Sequence, residues 1–591
     1  MTRVSPWLFV LLTFFPALIL GLWDGTISWS LVQGMRLEFA LEPLGAFFLF
    51  LLAVGAPLVA VAWLQHDRGL GGYLLYLLLL VGMTGVMLAQ DFIGLFIGWE
   101  IATWASYLLL LRSGRLDLET AQAYILFNLA SAFLLLAAIL VVYFGTGSFA
   151  IEPLTALEGT SRGAAVGLFV VAFLIKVGAV PLHFWVPGSY DQATDVFTAF
   201  LSGLMSKLGV YGLLLVLTPF PAVWDALGGA WLDGPAAGYA LAWFGVITSL
   251  LATFKAIAQE DIKRLLAYSS IAQVGYVVTA IGVGSALALG GALFHSLVHT
   301  LVKLLLLLAV AGIVQQVGVR RFTDLGGLIY RMPVTFFSVL IGIIGLAGMP
   351  PLPGFASKYL VFVALLEAQW LLLFAGMILA STAAFLYCYK LIYAPFLGHA
   401  HSPALREARE APLTLLIPQV LLMIALVVLG TVPGLAISQL LDPALQGLGL
   451  PPIGGASWGA VVTPLGRYNG GVLMAVFGVT FAVVTGLFFI IRGNMRRTTS
   501  PYDLSYAGEV PTAETPLHYA GGMGRELQRI PAIAWILGHS ATGFYRGLAR
   551  QMQASSGVIA GAYSNNPQAW VLTAVVVFAL ILTAPLLIGD P

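Results

Sequence analysis

Runs of about 20 mostly apolar residues, the length a helix needs to cross a bilayer, recur along almost the whole chain. We read about fifteen such spans: 7–23, 41–64, 70–90, 92–111, 121–144, 163–182, 197–218, 239–258, 267–283, 289–314, a broken span over 333–367, 370–394, 413–433, 470–491 and 569–588. Of the residues, 60% are apolar and only 9% charged, against about 25% charged in soluble proteins. Lipid is therefore the solvent, and the expected fold is an all-α polytopic membrane protein. No small-residue cleavage site follows 7–23, so that stretch reads as the first span rather than a signal peptide.

The same composition excludes several functions. A net charge of +1 gives no basis for binding nucleic acid. One cysteine, Cys388, cannot make a disulfide, an iron–sulfur cluster ligated by four thiolates or a C-x-x-C-H haem site. We expect no cofactor and no metal in this chain, so any redox chemistry belongs to partner chains.

Basic residues set the orientation. With the N-terminus on one side, that side collects 18 Lys and Arg in the connections, including seven arginines between 492 and 550, and the other side three, Arg36, Arg162 and Arg467. The positive-inside rule places the N-terminus in the cytoplasm, and an odd number of spans leaves the C-terminus outside.

Two stretches interrupt apolar spans with Gly and Pro: Lys176-Val-Gly-Ala-Val-Pro181 and Gly348-Met-Pro-Pro-Leu-Pro-Gly354. Broken helices at membrane depth survive only where protein or a water-filled cavity satisfies the freed backbone, and a matched pair of them marks inverted repeats around a transport path. They fall in the sixth and eleventh spans. The expected organisation is 1–69 as N-terminal spans, 70–218 and 239–394 as two inverted half-channels, and 395–491 as C-terminal spans. A cytoplasmic-side connection over 492–568 and a last span in 569–591 complete it.

The distribution of lysines is the sharpest functional signal. All 20 arginines fall in connections or flanks, whereas Lys176, Lys207, Lys255, Lys303, Lys358 and Lys390 lie inside spans and only Lys263 does not. A charge at the bilayer centre costs roughly 2.5–3.5 kcal/mol on insertion scales and marks function by default. Arginine holds its proton essentially always, whereas a desolvated lysine can exchange it. Lys255 and Lys390 lie near cytoplasmic span ends, where the ammonium can snorkel to the headgroups; the other four lie too deep. Glu100, the acid nearest the middle of a span, is expected to pair with a deep lysine. His295, His299 and Lys303, spaced four apart, form a stripe on one helix face. A metal site is an open alternative for that stripe, without a nearby carboxylate or third histidine to support it. His183 follows the first break and is a further candidate link.

These residues resemble the antiporter-like subunits shared by respiratory complex I, Mrp-type cation/proton antiporters and membrane-bound hydrogenases. The resemblance is carried by Gly98-Trp-Glu-Ile-Ala-Thr-Trp-Ala-Ser-Tyr-Leu108, Lys176-Val-Gly-Ala-Val-Pro-Leu-His-Phe-Trp-Val-Pro187 and Leu201-Ser-Gly-Leu-Met-Ser-Lys-Leu-Gly-Val-Tyr-Gly212. Gln259-Glu-Asp-Ile-Lys-Arg-Leu-Leu-Ala-Tyr-Ser-Ser270, the His295/His299/Lys303 stripe and Met349-Pro-Pro-Leu-Pro-Gly-Phe-Ala-Ser-Lys358 continue it in order. It implies a proton relay in which Glu100 pairs with Lys176, Lys207 connects, His295, His299 and Lys303 bridge, and Lys358 ends the second half. Lysine at 358 places the chain nearer complex I's longest antiporter-like subunit, whose cytoplasmic-side lateral helix has a shorter counterpart expected near 523–560, kinked at Pro531. The chain departs from the family by having one span rather than two before 41–64. Ala193-Thr194 followed by Asp195 replaces the usual Ala-Pro, and Gln273 replaces a histidine.

The resulting expectation is a proton-translocating subunit of a multi-subunit, energy-converting complex in a cell inner membrane, with other membrane subunits as partners. The redox-driven type is expected to be a quinone oxidoreductase or hydrogenase. A subunit of an Mrp-like Na⁺/H⁺ antiporter, or of a proton-coupled inorganic-carbon uptake complex, shares the same motifs. A membrane scaffold whose buried charges only hold helices together is the competing structural reading.

Overall fold

The computed structural model describes residues 5–32, 35–64, 69–218, 236–397, 400, 402–453, 457–492 and 523–538, with residues 543, 547, 550, 551 and 553. The last expected span, 569–588, and most of the 492–568 connection lie outside the described residues. Two compact units are present, Met1–Ile533 and Ala534–Pro591. All the described membrane-spanning helices belong to the first.

Among the described residues, 12 helices are long and apolar enough to cross a membrane, and Pro6–Leu22 and Pro333–Ala347 add shorter apolar stretches. The expected spans match these helices closely. The first differs: 7–23 is two short helices, Pro6–Leu12 and Phe15–Leu22, because Pro16 cannot supply the N–H that a continuous helix would need there. The hairpins Ile27–Val32/Met35–Phe39 and Ala460–Thr463/Gly466–Asn469 join spans on one side of the bundle.

Burial sorts the helices. Ala286–Val317 and Asp195–Leu217 are each 94% buried over their most apolar window and Ile262–Val283 is 89% buried, whereas Gly470–Leu487 is 6% buried. The three innermost helices are also the three that carry Lys207, Gln273 and the His295/His299/Lys303 stripe. Small residues permit close approaches between neighbouring helices. A Cβ on Gly98 would lie 2.8 Å from Gly82 O, and one on Gly275 would lie 2.5 Å from Gly245 O.

Both expected breaks are present and end their first helix alike. Gly159–Val177 stops at Gly178 (φ +78°) and Pro333–Ala347 at Gly348 (φ +78°), the left-handed conformation that glycine adopts without strain. Gly178 and Ala179 both donate to Leu174 O, as Gly348 and Met349 both donate to Ile344 O, so each end closes its last carbonyls with the same paired turn. Each break contains a cis X-Pro bond, at Pro181 and Pro351. The first break lies further from its span's end than expected. Its second half is the short Trp185–Gln192 helix, beyond the limit of 182 read from sequence.

The connection after 492 is described only in part. Met523–Leu527 and Pro531–Gly538 are two short helices. Pro531 starts the second rather than kinking one long helix, as suits a residue without an N–H to give. Leu527 packs on the core, and a Cβ on Gly524 would meet Ala258 at 3.0 Å.

Candidate functional site: a buried relay of lysines and histidines

The first lysine is held by neutral groups. Lys176 Nζ donates to Thr103 Oγ1 and Asn128 Oδ1, both at 2.9 Å, and lies 5.2 Å from the Trp99 ring centroid. The expected ion pair with Glu100 is not formed: among the described residues no salt bridge joins them. The carboxylate accepts instead from Trp104 Nε1 at 3.2 Å, and its Oε1 is buried without a partner. Glu100 is still close, because Thr103 stands one turn along the same helix.

In the centre, Lys207 Nζ lies 2.8 Å from His299 Nδ1 and donates to Ser206 Oγ at 3.2 Å. Lys207 opens a helix directly after a wide π turn, Leu201–Met205. Such insertions rotate the following residues and occur mostly at functional sites. The rings of His299 and His295 lie 6.4 Å apart and nearly parallel.

Ser357 Oγ lies 3.0 Å from both Gly354 O and His295 Nδ1. The Nε2 atoms of His295 and His299 are both buried without protein partners, and an imidazole nitrogen gives or takes a proton according to its tautomer.

The far end is Lys358. Its Nζ donates to Leu346 O at 3.2 Å, Ala347 O at 2.9 Å and Ser381 Oγ at 3.2 Å. The two carbonyls end the first half of the broken helix, where orphan C=O groups carry the negative end of the helix dipole. Tyr276 bridges to the histidines, with its ring 4.7 Å below Lys358 Nζ and 5.4 Å from the His295 ring.

Lys303 lies on the same helix as the two histidines. It donates to Leu266 O at 3.0 Å and Ser269 Oγ at 2.6 Å. On its helix it lies one turn beyond His299, on the side away from His295. Gln273 donates to Tyr387 Oη at 3.1 Å and keeps Oε1 buried without a partner. His183 Nδ1 is buried without a partner as well.

Two lysines read as peripheral are not. Lys390 is fully buried rather than snorkelling: it donates to Ile257 O and Gln259 O and lies 3.6 Å from Glu260 Oε1. Lys263, read as a connection residue, is 1% exposed within Ile262–Val283 and pairs with Asp195 at 2.7 Å. Lys255 is half-buried. Sequence reasoning missed Thr103, Asn128, Tyr276, Ser357 and Ser381. Asn128 left a usable signal, since the other four asparagines, at 469, 494, 565 and 566, all fall outside the expected spans.

Residues 89–385 match the family model described as "NADH:quinone oxidoreductase/Mrp antiporter, TM". Subunit N of the NADH-quinone oxidoreductase of Desulforudis audaxviator is 31% identical over 432 residues, which cover 69% of this chain and 85% of the relative. The chain belongs to the NADH:quinone oxidoreductase/Mrp antiporter family. Every candidate site residue from Glu100 to Lys358 falls inside the matched stretch.

Other members of the family give the comparison range. A Na⁺/H⁺ antiporter subunit of Alkalihalophilus pseudofirmus is 31% identical over 473 residues, which cover 73% of this chain but only 57% of the relative. A chain of the archaeal membrane-bound sulfane sulfur reductase superposes with a TM-score of 0.86 and 30% identity, covering 99% of this chain and 97% of that one. A chain of respiratory complex I from Thermus thermophilus shares the fold, with a TM-score of 0.64 and 23% identity over 76% of this chain and 96% of that one.

Proposed function

We propose that this chain is the proton-translocating subunit of a multi-subunit, energy-converting membrane complex, and that Glu100, Lys176, Lys207, His299, His295 and Lys358 are its proton line. The observation that carries the reading is the 2.8 Å contact between Lys207 Nζ and His299 Nδ1 on the two most buried helices. A titratable amine against an imidazole there has no structural need that an apolar pair would not meet.

A carboxylate swung towards Lys176 favours the charged ammonium, and its withdrawal releases the proton. Thr103 and Asn128 hold the amine between those states. The proton then reaches Lys207 across the contact between Gly159–Val177 and Lys207–Leu217. It passes to His299 and His295, and leaves by Lys358. Lys303 tunes the charge beside His299. The halves 70–218 and 239–394 are the two inverted units, each with one of the matched breaks. The chain sits in a cell inner membrane with its N-terminus in the cytoplasm and its C-terminus outside.

The near-complete two-way coverage by the sulfane sulfur reductase chain supports a parent complex of that redox-driven kind, with neighbouring membrane subunits on both sides. The 31% identity to the Alkalihalophilus antiporter protein supports the second reading, Na⁺/H⁺ exchange in an Mrp-like assembly. Lys176→Ala and Lys358→Ala should each abolish proton translocation by the assembled complex in liposomes; retained translocation refutes the relay. An imposed sodium gradient that drives proton flux through the wild type would favour antiport.

A further inference from the structure

One buried charge pair lies outside the proton line. Asp195 is the first residue of its helix, and its carboxylate meets Lys263 Nζ at 2.7 Å with side-chain exposures of 9% and 1%. Lys263 also donates to Ala193 O at 2.8 Å. The charged groups around the pair are already engaged with each other. Asp191 pairs with Arg320 at 2.9 Å and Arg264 at 4.0 Å, and Arg320 pairs with Asp261 at 3.2 Å.

The two helices that this pair joins run side by side in the same direction. Seven residues further along both of them, Ser202 Oγ meets Ser270 Oγ at 2.6 Å. Asp195 is continuous through the π turn with Lys207, twelve residues or about 18 Å away at helical rise. Lys263 shares its helix with Leu266 and Ser269, whose oxygens hold Lys303. One helix therefore carries the central lysine, and the other carries the ligands of the lysine beside it.

We propose that Asp195–Lys263 is a positioning clasp that fixes the register of these two helices, and through it the placement of Lys207 and Lys303 around His299. The inference rests on the proton-line reading. Neither residue of the clasp carries the proton. An ion pair suits this task better than an apolar contact of equal area, because it has one distance and one partner. Apolar replacements of buried ion pairs commonly match them in stability, which separates positioning from mere cohesion.

The test uses the purified complex in liposomes, with proton flux followed by a pH-sensitive dye under an imposed potassium diffusion potential and expressed per assembled complex. Asp195→Asn and the apolar double variant Asp195→Leu/Lys263→Met should each lower the flux by about tenfold, since displacements of about 1 Å cost transfer steps on the order of that or more. Asp195→Glu should restore most of it. The double variant should assemble at wild-type levels, so the result stands even where Asp195→Asn is unstable. Wild-type flux in the double variant overturns the clasp. Lys207→Ala in the same assay reports on the relay itself. If it abolishes flux while the double variant leaves flux unchanged, only the clasp fails; if it leaves flux unchanged, the relay reading fails.

Discussion

Gly354→Ala should disable the Lys358 end of the proposed proton line through backbone geometry alone. Gly354 is the second residue of the second half of the broken helix and lies against the first half, where a Cβ would sit 1.9 Å from Gly345 O and 2.9 Å from Gly345 C. Cβ contacts under 3.0 Å essentially never occur, so the half-helices must separate by about 1 Å, and overpacking of this kind costs about 1–3 kcal/mol. Both clashing atoms are backbone, so no rotamer relieves the contact. Lys358 rides on one half and its carbonyl partners on the other. The same separation takes its bonds of 3.2 and 2.9 Å to about 4 Å, beyond hydrogen-bonding reach. Losing one hydrogen bond from a charged group adds about 1.5–3 kcal/mol. The purified complex should therefore melt at lower temperature, and proton flux per assembled complex should fall at least tenfold. Gly478→Ala, on an outer helix with nothing within 4 Å of the new methyl, is the control. Identical melting and flux in the two variants would refute the reasoning.

Other predictions probe separate contacts. Asn128→Leu removes one of the two partners at 2.9 Å from Lys176; flux should fall about tenfold while assembly, measured by subunit co-purification, persists. Lys390→Met should lower the melting temperature by the loss of hydrogen bonds worth about 1–3 kcal/mol yet leave flux per complex unchanged, because Lys390 ties loop carbonyls at Ile257 and Gln259. Asp117 caps the Leu118–Thr146 helix, and the Thr120 N–H, followed by Gln192, holds its carboxyl below the usual carboxylate range. A depressed value stabilises the fold above the unfolded value of about 4 and is lost as pH falls through the folded one. Asp117→Ala should cost about 1 kcal/mol at neutral pH, and its thermal-melting difference from the wild type should vanish on acidification below that range.

The deep lysines stand out in the sequence as functional candidates because insertion into lipid penalises every charge that lacks a purpose. Their order was only half legible. The spacing of His295, His299 and Lys303 put all three on one face, but it could not say that Lys207 would reach His299 from another helix. The resemblance pairs Glu100 with Lys176, yet the hydroxyl and amide that hold the amine come from Thr103 and Asn128, one of them on a third helix. A single chain encodes which residues a helix face presents; which neighbour that face meets is set by packing across helices far apart in sequence.

The sequence by itself determined that the chain is a membrane-spanning helical bundle, where its spans run, and that two of them break. Apolar length, Gly and Pro act locally, so they can be read residue by residue. Tertiary structure alone decided the burial of Lys263 and Lys390. Near a span end a lysine can either snorkel to water or turn inward, and the choice depends on whether an acceptor waits there. Asp195, Gln259 and Glu260 supply those acceptors, and only folding brings them within reach.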